Sequence, residues 1–163
     1  MTRAAALLLC IASIAVAACA PPPPAALAPL PEEARLYYDN AGGIRDSGQT
    51  VIRDAAEFNR VWHRATGQAG APAPVVNFSH DMVLVVAGGR MSPADQIHVD
   101  SVGVRRESTA SGKQVDVLGV VFTVSQACRQ FSGDAYPVEI VRVRRYNGNV
   151  RFVGRRQRGS DCR

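Results

Sequence analysis

Met82-Val83-Leu84-Val85-Val86-Ala87 is the stretch on which the fold turns. A strand with one wet face alternates apolar and polar residues, whereas a short unbroken apolar run reads as a strand buried on both faces. Upstream of it the spacing predicts a helix. Asp54 is placed as the N-cap and Glu57 three residues on completes a capping box, which satisfies two otherwise orphaned N–H groups. Phe58, Val61, Trp62 and Ala65 then fall on one apolar face, and Gly67 stops the helix. Before it, Leu36-Tyr37-Tyr38 and residues 49–53 read as short strands, with Gly42-Gly43 as a turn. After it, residues 96–104 alternate, with Ile97 and Val99 on one face and a phase change near Ser101. Residues 115–124 form another long β-branched segment. The expectation is an α+β domain, with one N-terminal helix packed on a mainly antiparallel sheet of about four to six strands.

Residues 136–145 and 150–153 flank Asn147-Gly148, a dipeptide that reads as the turn of a β-hairpin. In that register Arg144 faces Arg151 and Val143 faces Phe152, so Arg142, Arg144 and Arg151 share one surface. Opposed like charges disfavour a sheet. The ribbon is therefore expected to dock a negatively charged partner, an acidic protein or an anionic envelope component. The charge distribution agrees. Residues 142–163 carry +7, residues 31–141 carry −3, and the whole chain carries +5.

The chain opens on Arg3 and an apolar run over residues 4–18, broken only by Ser13. At about fifteen residues this is short for a membrane span and suits the h-region of a secretory signal. It ends in Val16-Ala17-Ala18-Cys19, which resembles a bacterial lipobox with Cys19 as the lipid-bearing residue. The alternative is ordinary signal cleavage and a secreted protein. Ala20 after the cysteine resembles the outer-membrane sorting pattern, so the expected location is the outer membrane, facing the periplasm. Pro21 to Pro24, Pro29 and Pro31 follow, as in a semi-rigid spacer. The expected organisation is a signal peptide over 1–18, lipidated Cys19 with a tether over 19–34, and one domain over 35–163. Nucleic acid is not an expected partner for an exported chain.

Once Cys10 leaves with the signal and Cys19 takes lipid, Cys128 and Cys162 remain. In an oxidising compartment they read as one disulfide, closing a loop of about 35 residues worth about 4 kcal/mol in the chain-entropy model. Two free thiols are the alternative. Chemistry is sparsely signalled. His80-Asp81 and His98-x-Asp100 use metal-ligand residue types, yet neither has a helical spacing that presets a site. There is no Gly-x-Ser-x-Gly elbow and no Ser-x-x-Lys. No catalytic residue, resident metal or cofactor is expected. The competing reading is a small periplasmic hydrolase or metal protein using His80, His98 and nearby acids.

From Phe58 onward the layout resembles the C-terminal domain of PrcB-type protease-complex lipoproteins. The likeness rests on the helix with Trp62, on Val75-Val76-Asn77-Phe78-Ser79-His80-Asp81-Met82-Val83, on Gly89-Arg90, and on Tyr136-Pro137-Val138-Glu139-Ile140-Val141-Arg142-Val143. Pro93-Ala94-Asp95 stand where the family shows Gly-Gly-Tyr. The resemblance implies a non-catalytic accessory lipoprotein acting beside a secreted protease or another envelope complex.

Overall fold

The apolar run lies in β4 (Asp81–Gly88), and each of its faces is buried by a different layer. Val83, Val85 and Ala87 pack against α1 (Ala55–Thr66), touching the core built on Phe58, Val61, Trp62 and Ala65. Met82, Leu84 and Val86 point the other way and meet Ile97, Val99, Leu118, Val120 and Phe122. The computed structural model describes residues 26–67, 72–129, 131–159 and 162. Among them are the remaining strands: β1 (Ala28–Pro29), β2 (Arg35–Asp39), β3 (Ser47–Ile52), β5 (Gln96–Ser108), β6 (Gln114–Gln126), β7 (Val138–Arg144) and β8 (Val150–Arg158). They form two sheets, β1-β5-β6-β8 and β2-β7-β4-β3. The layers are thus helix, second sheet, first sheet, with an apolar core in each gap.

Local chemistry accounts for the helix. The Asp54 side chain accepts the Glu57 N–H at 2.8 Å, and Gly67 follows the last turn at φ 78°. Trp62 sits edge-on to Tyr37 and Phe58, with ring centroids 5.5 and 5.8 Å apart. Each large side chain buried in this way contributes about 1.5–3 kcal/mol. The helix lies between β3 and β4 rather than at the N-terminus, and it covers one of two sheets rather than a single one. The expected phase change near Ser101 is a bulge between Val99 and Ser101.

The expected Asn147-Gly148 hairpin does not form. Type I′ turns need positive φ at both central residues, and neither Asn147 nor Gly148 has it. Residues 145–149 instead carry the chain from one sheet to the other. Arg145 Nη1 donates to Phe78 O at 2.6 Å and to Arg53 O at 3.1 Å, while Tyr146 joins the inter-sheet core and donates its hydroxyl to Asp116 O at 2.8 Å. β7 pairs antiparallel with β2 and β4, and β8 pairs parallel with β6. Apolar demand on both sides of the crossing outweighs the local turn preference.

The domain also begins earlier than Arg35. Ala28 and Pro29 pair with Val102 and Ser101, and the Leu30 N–H donates to Asp100 O at 2.8 Å. Leu30 packs into the inter-sheet core. A Cβ at Gly103 would run into the main chain of Leu27, so glycine is required where this segment crosses β5. Of the expected tether, residues 26–34 belong to the folded body. Residues 19–25, Cys19 and the signal segment lie outside the described residues.

Candidate functional site

At one side of the sandwich β7 brings a carboxylate between the sheets. Alternation along the strand sends Val138 and Ile140 toward the helix and Val141 toward the first sheet. Glu139 shares the Val141 face and has no exposed surface. Its Oε1 pairs with Arg35 Nη1, its Oε2 accepts the Val99 N–H, and Arg35 Nη2 donates to Val99 O at 3.1 Å. Both main-chain groups of Val99, at the bulge, are therefore met by side chains of the opposite sheet. A buried backbone group left unpaired costs about 1–3 kcal/mol, so this ion pair acts as a clasp between the sheets.

His98 flanks the clasp. Its Nδ1 lies 3.9 Å from Glu139 Oε1 and its ring sits 4.6 Å from that of Tyr38. Burial, then the Arg35 charge, hold its pKa below the ordinary histidine value, against opposing pulls from Asp100 and Glu32. The Asp100 carboxylate accepts from Thr123 Oγ1 at 2.6 Å. His80 is elsewhere, its Nδ1 2.7 Å from Ser79 Oγ and its carbonyl accepting the Arg145 N–H at 2.8 Å. Glu139 and Arg145 are six residues apart along and just beyond β7, roughly 20 Å at strand rise, so His80 and His98 mark opposite ends of that strand. The competing two-histidine site is not assembled. Among the described residues no three His, Cys, Asp or Glu side chains are grouped to hold a metal.

The structure also separates the three arginines expected on one surface. Arg142 and Arg144 lie on β7 opposite Val83 and Asp81, on the helix-bearing face of the second sheet. Arg151 lies on β8, on the outer face of the first sheet, with Nε 3.1 Å from Glu107 Oε2. Their shared face depended on the hairpin and goes with it. Cys128 and Cys162 form a disulfide, with Cα atoms 5.1 Å apart.

The opposite side of the sandwich is open. Where the sheets part between edge strands β3 and β8, a groove of about 800 Å³ is lined by Ser47 and Gln49, Phe122 and Val124, and Gly154 and Arg156. Gly154 is needed here because a Cβ would come within 2.7 Å of Phe122 Cζ. Arg90 and Asp134 pair across the rim at 2.8 Å. The Asp95 carboxylate accepts the Ala127 N–H at 3.0 Å and helps fix the loop that ends the groove. Phe131 on that loop is 53% exposed and separates the groove from a second hollow of about 690 Å³. Ser92 Oγ, in the lining, is buried and has no hydrogen-bond partner among the described residues. Arg155, Arg156 and Arg158 are exposed, and among the described residues none has a carboxylate within ion-pair distance.

Of the basic C-terminal residues, the fold brings Arg155 and Arg156 to the groove and leaves Arg142, Arg144 and Arg151 away from its lining. The strand pattern alone does not single out Glu139, and the lone carboxylate amid Val138, Ile140 and Val141 is the one local signal of a buried partner. Comparison with family models, with curated proteins and with solved structures gives no match for this chain.

Proposed function

We propose that this chain is a lipid-anchored cell-envelope protein whose sandwich is a binding, accessory domain, with the groove between β3 and β8 as its working surface. The observation that carries the reading is the groove itself, an open concavity with aromatic and main-chain walls beside Arg155 and Arg156, which no described acidic side chain neutralises. Such uncompensated charge beside a concave surface attracts an acidic partner and speeds its encounter. The lipobox-like Val16-Ala17-Ala18-Cys19 supplies the anchor in this reading, and outer-membrane attachment facing the periplasm follows from Ala20. Diacyl and amide-linked chains at one cysteine give stable anchoring, each buried CH₂ contributing about 0.8 kcal/mol. Partnership with a secreted protease or another envelope complex follows from the PrcB-type resemblance.

Two experiments test the two halves separately. Mass spectrometry of the mature protein is expected to find acylated Cys19 at the N-terminus, and Cys19→Ala to leave uncleaved precursor. An unmodified mature N-terminus contradicts the anchor. For the surface, a photo-crosslinking residue at Gln49 in full-length protein in envelope membranes is expected to give discrete protein adducts, and one at Arg64 on the helix to give none. The reverse pattern contradicts the groove.

A further inference from the structure

β8 is the last strand of its sheet, and its free edge has a readable polarity. The Leu118 N–H donates to Asn149 O at 2.9 Å, and the Gly159 N–H donates to Gln126 O at 2.7 Å. A residue's N–H and C=O leave a strand on the same side, and the side alternates along it. Odd-numbered residues of this segment therefore bond β6. Phe152, Gly154, Arg156 and Arg158 turn their N–H and C=O outward, and no described residue bonds them there. The same edge borders the groove, which Gly154, Arg155 and Arg156 line.

We propose that this edge takes an extended, acidic segment of a partner polypeptide as an additional strand. The proposal rests on the groove being the binding surface and specifies what fills it. Main-chain bonds to Phe152, Gly154, Arg156 and Arg158 supply register-independent affinity, and side chains at alternate positions supply selectivity. Residues of the added strand opposite Arg156 and Arg158 project to the same side as those arginines, so carboxylates at every second position match them. Arg155 faces the other side of the sheet and reads the intervening positions. The row of alternating donors and acceptors favours a polypeptide over an anionic membrane or a polyphosphate, neither of which presents its complement. A second copy of this chain is disfavoured because β8 against β8 sets arginine beside arginine. An unpaired edge this long is ordinarily blunted by charge. Here the charge also selects the sign of what docks.

The test uses the full-length protein in detergent and a peptide of about ten residues alternating threonine and glutamate, a usual strand length. Binding is followed by fluorescence anisotropy, and amide hydrogen exchange is followed residue by residue. The expected result is saturable binding that weakens with salt, with exchange slowed at least about tenfold at Phe152, Gly154, Arg156 and Arg158. Arg151, Val153, Arg155 and Gln157, already bonded to β6, should not change. The same peptide N-methylated at alternate amides keeps its charge but cannot pair, and is expected not to bind. Arg156→Glu with Arg158→Glu should lose the glutamate peptide and gain a threonine–lysine one. Equal binding of the N-methylated peptide, or binding without alternate protection, overturns strand addition while leaving the groove as a charged surface. Binding of anionic vesicles or single-stranded DNA in preference to the peptide overturns the choice of partner. Failure of every probe to bind overturns the proposal, and the crosslinking at Gln49 then judges the groove independently.

Discussion

The two sides of the sandwich use the same residue type to opposite ends. On the closed side Arg35 is three-quarters buried, its side chain 22% exposed, and locked to Glu139 and Val99. On the open side Arg155 and Arg156 are exposed beside a strand edge that nothing described covers. A guanidinium withdrawn from water must be matched in charge and hydrogen bonds, so Arg35 has become part of the fold. An exposed one contributes little to stability and remains available to a partner. The contrast teaches where to look for function in this molecule, namely where charge is left unmatched.

The comparison breaks most visibly at the clasp. Glu139→Ala is expected to destabilise the fold by about 5 kcal/mol, the upper end for a broken buried pair, because it also orphans the Val99 N–H. Urea unfolding measures it. Replacing both partners, Arg35→Met with Glu139→Leu, should recover part of that loss but not all, since Val99 still lacks its bonds. Next in size is the bridge. Cys128→Ser and Cys162→Ser, separated by 34 residues, should each cost about 4 kcal/mol and agree with one another. Unequal losses would mean that one cysteine matters beyond the bond.

A smaller effect distinguishes the closed side by pH. His98 has a depressed pKa in the fold, so between that value and the ordinary value near 6.5 the unfolded chain binds the proton and the folded one does not. Stability is therefore full above about pH 6.5 and declines as pH falls below it. His98→Gln should flatten this slope in melts taken from pH 7.5 to 5. Smallest is the open side. Arg156→Glu with Arg158→Glu should change stability by no more than about 0.5 kcal/mol while reversing the charge preference for peptides. A large loss of stability there would erase the contrast.

Much of the closed architecture was legible in the sequence. Asp54, Glu57 and the Phe58–Val61–Trp62–Ala65 spacing encode the helix within one segment, and the run from Met82 to Ala87 encodes a doubly covered strand. What was not legible depends on distance along the chain. Arg35 meets Glu139 across 104 residues, and no local pattern announces that. Asn147-Gly148 carries a strong local turn preference that loses to the burial of Val141 and Val143 on one side of the crossing and Phe152 on the other. The same crossing moves β8 beside β6 and creates the open edge, so the misread turn and the unexpected groove have one cause.

Residue-resolved amide exchange along β8 in the unliganded protein tests that account most directly. If β8 pairs parallel with β6 and leaves its other edge free, protection alternates. Arg151, Val153, Arg155 and Gln157 exchange slowly, while Phe152, Gly154 and Arg156 exchange near the rate of an open chain. Uniform protection along 150–158, or protection in the opposite alternation, would contradict it.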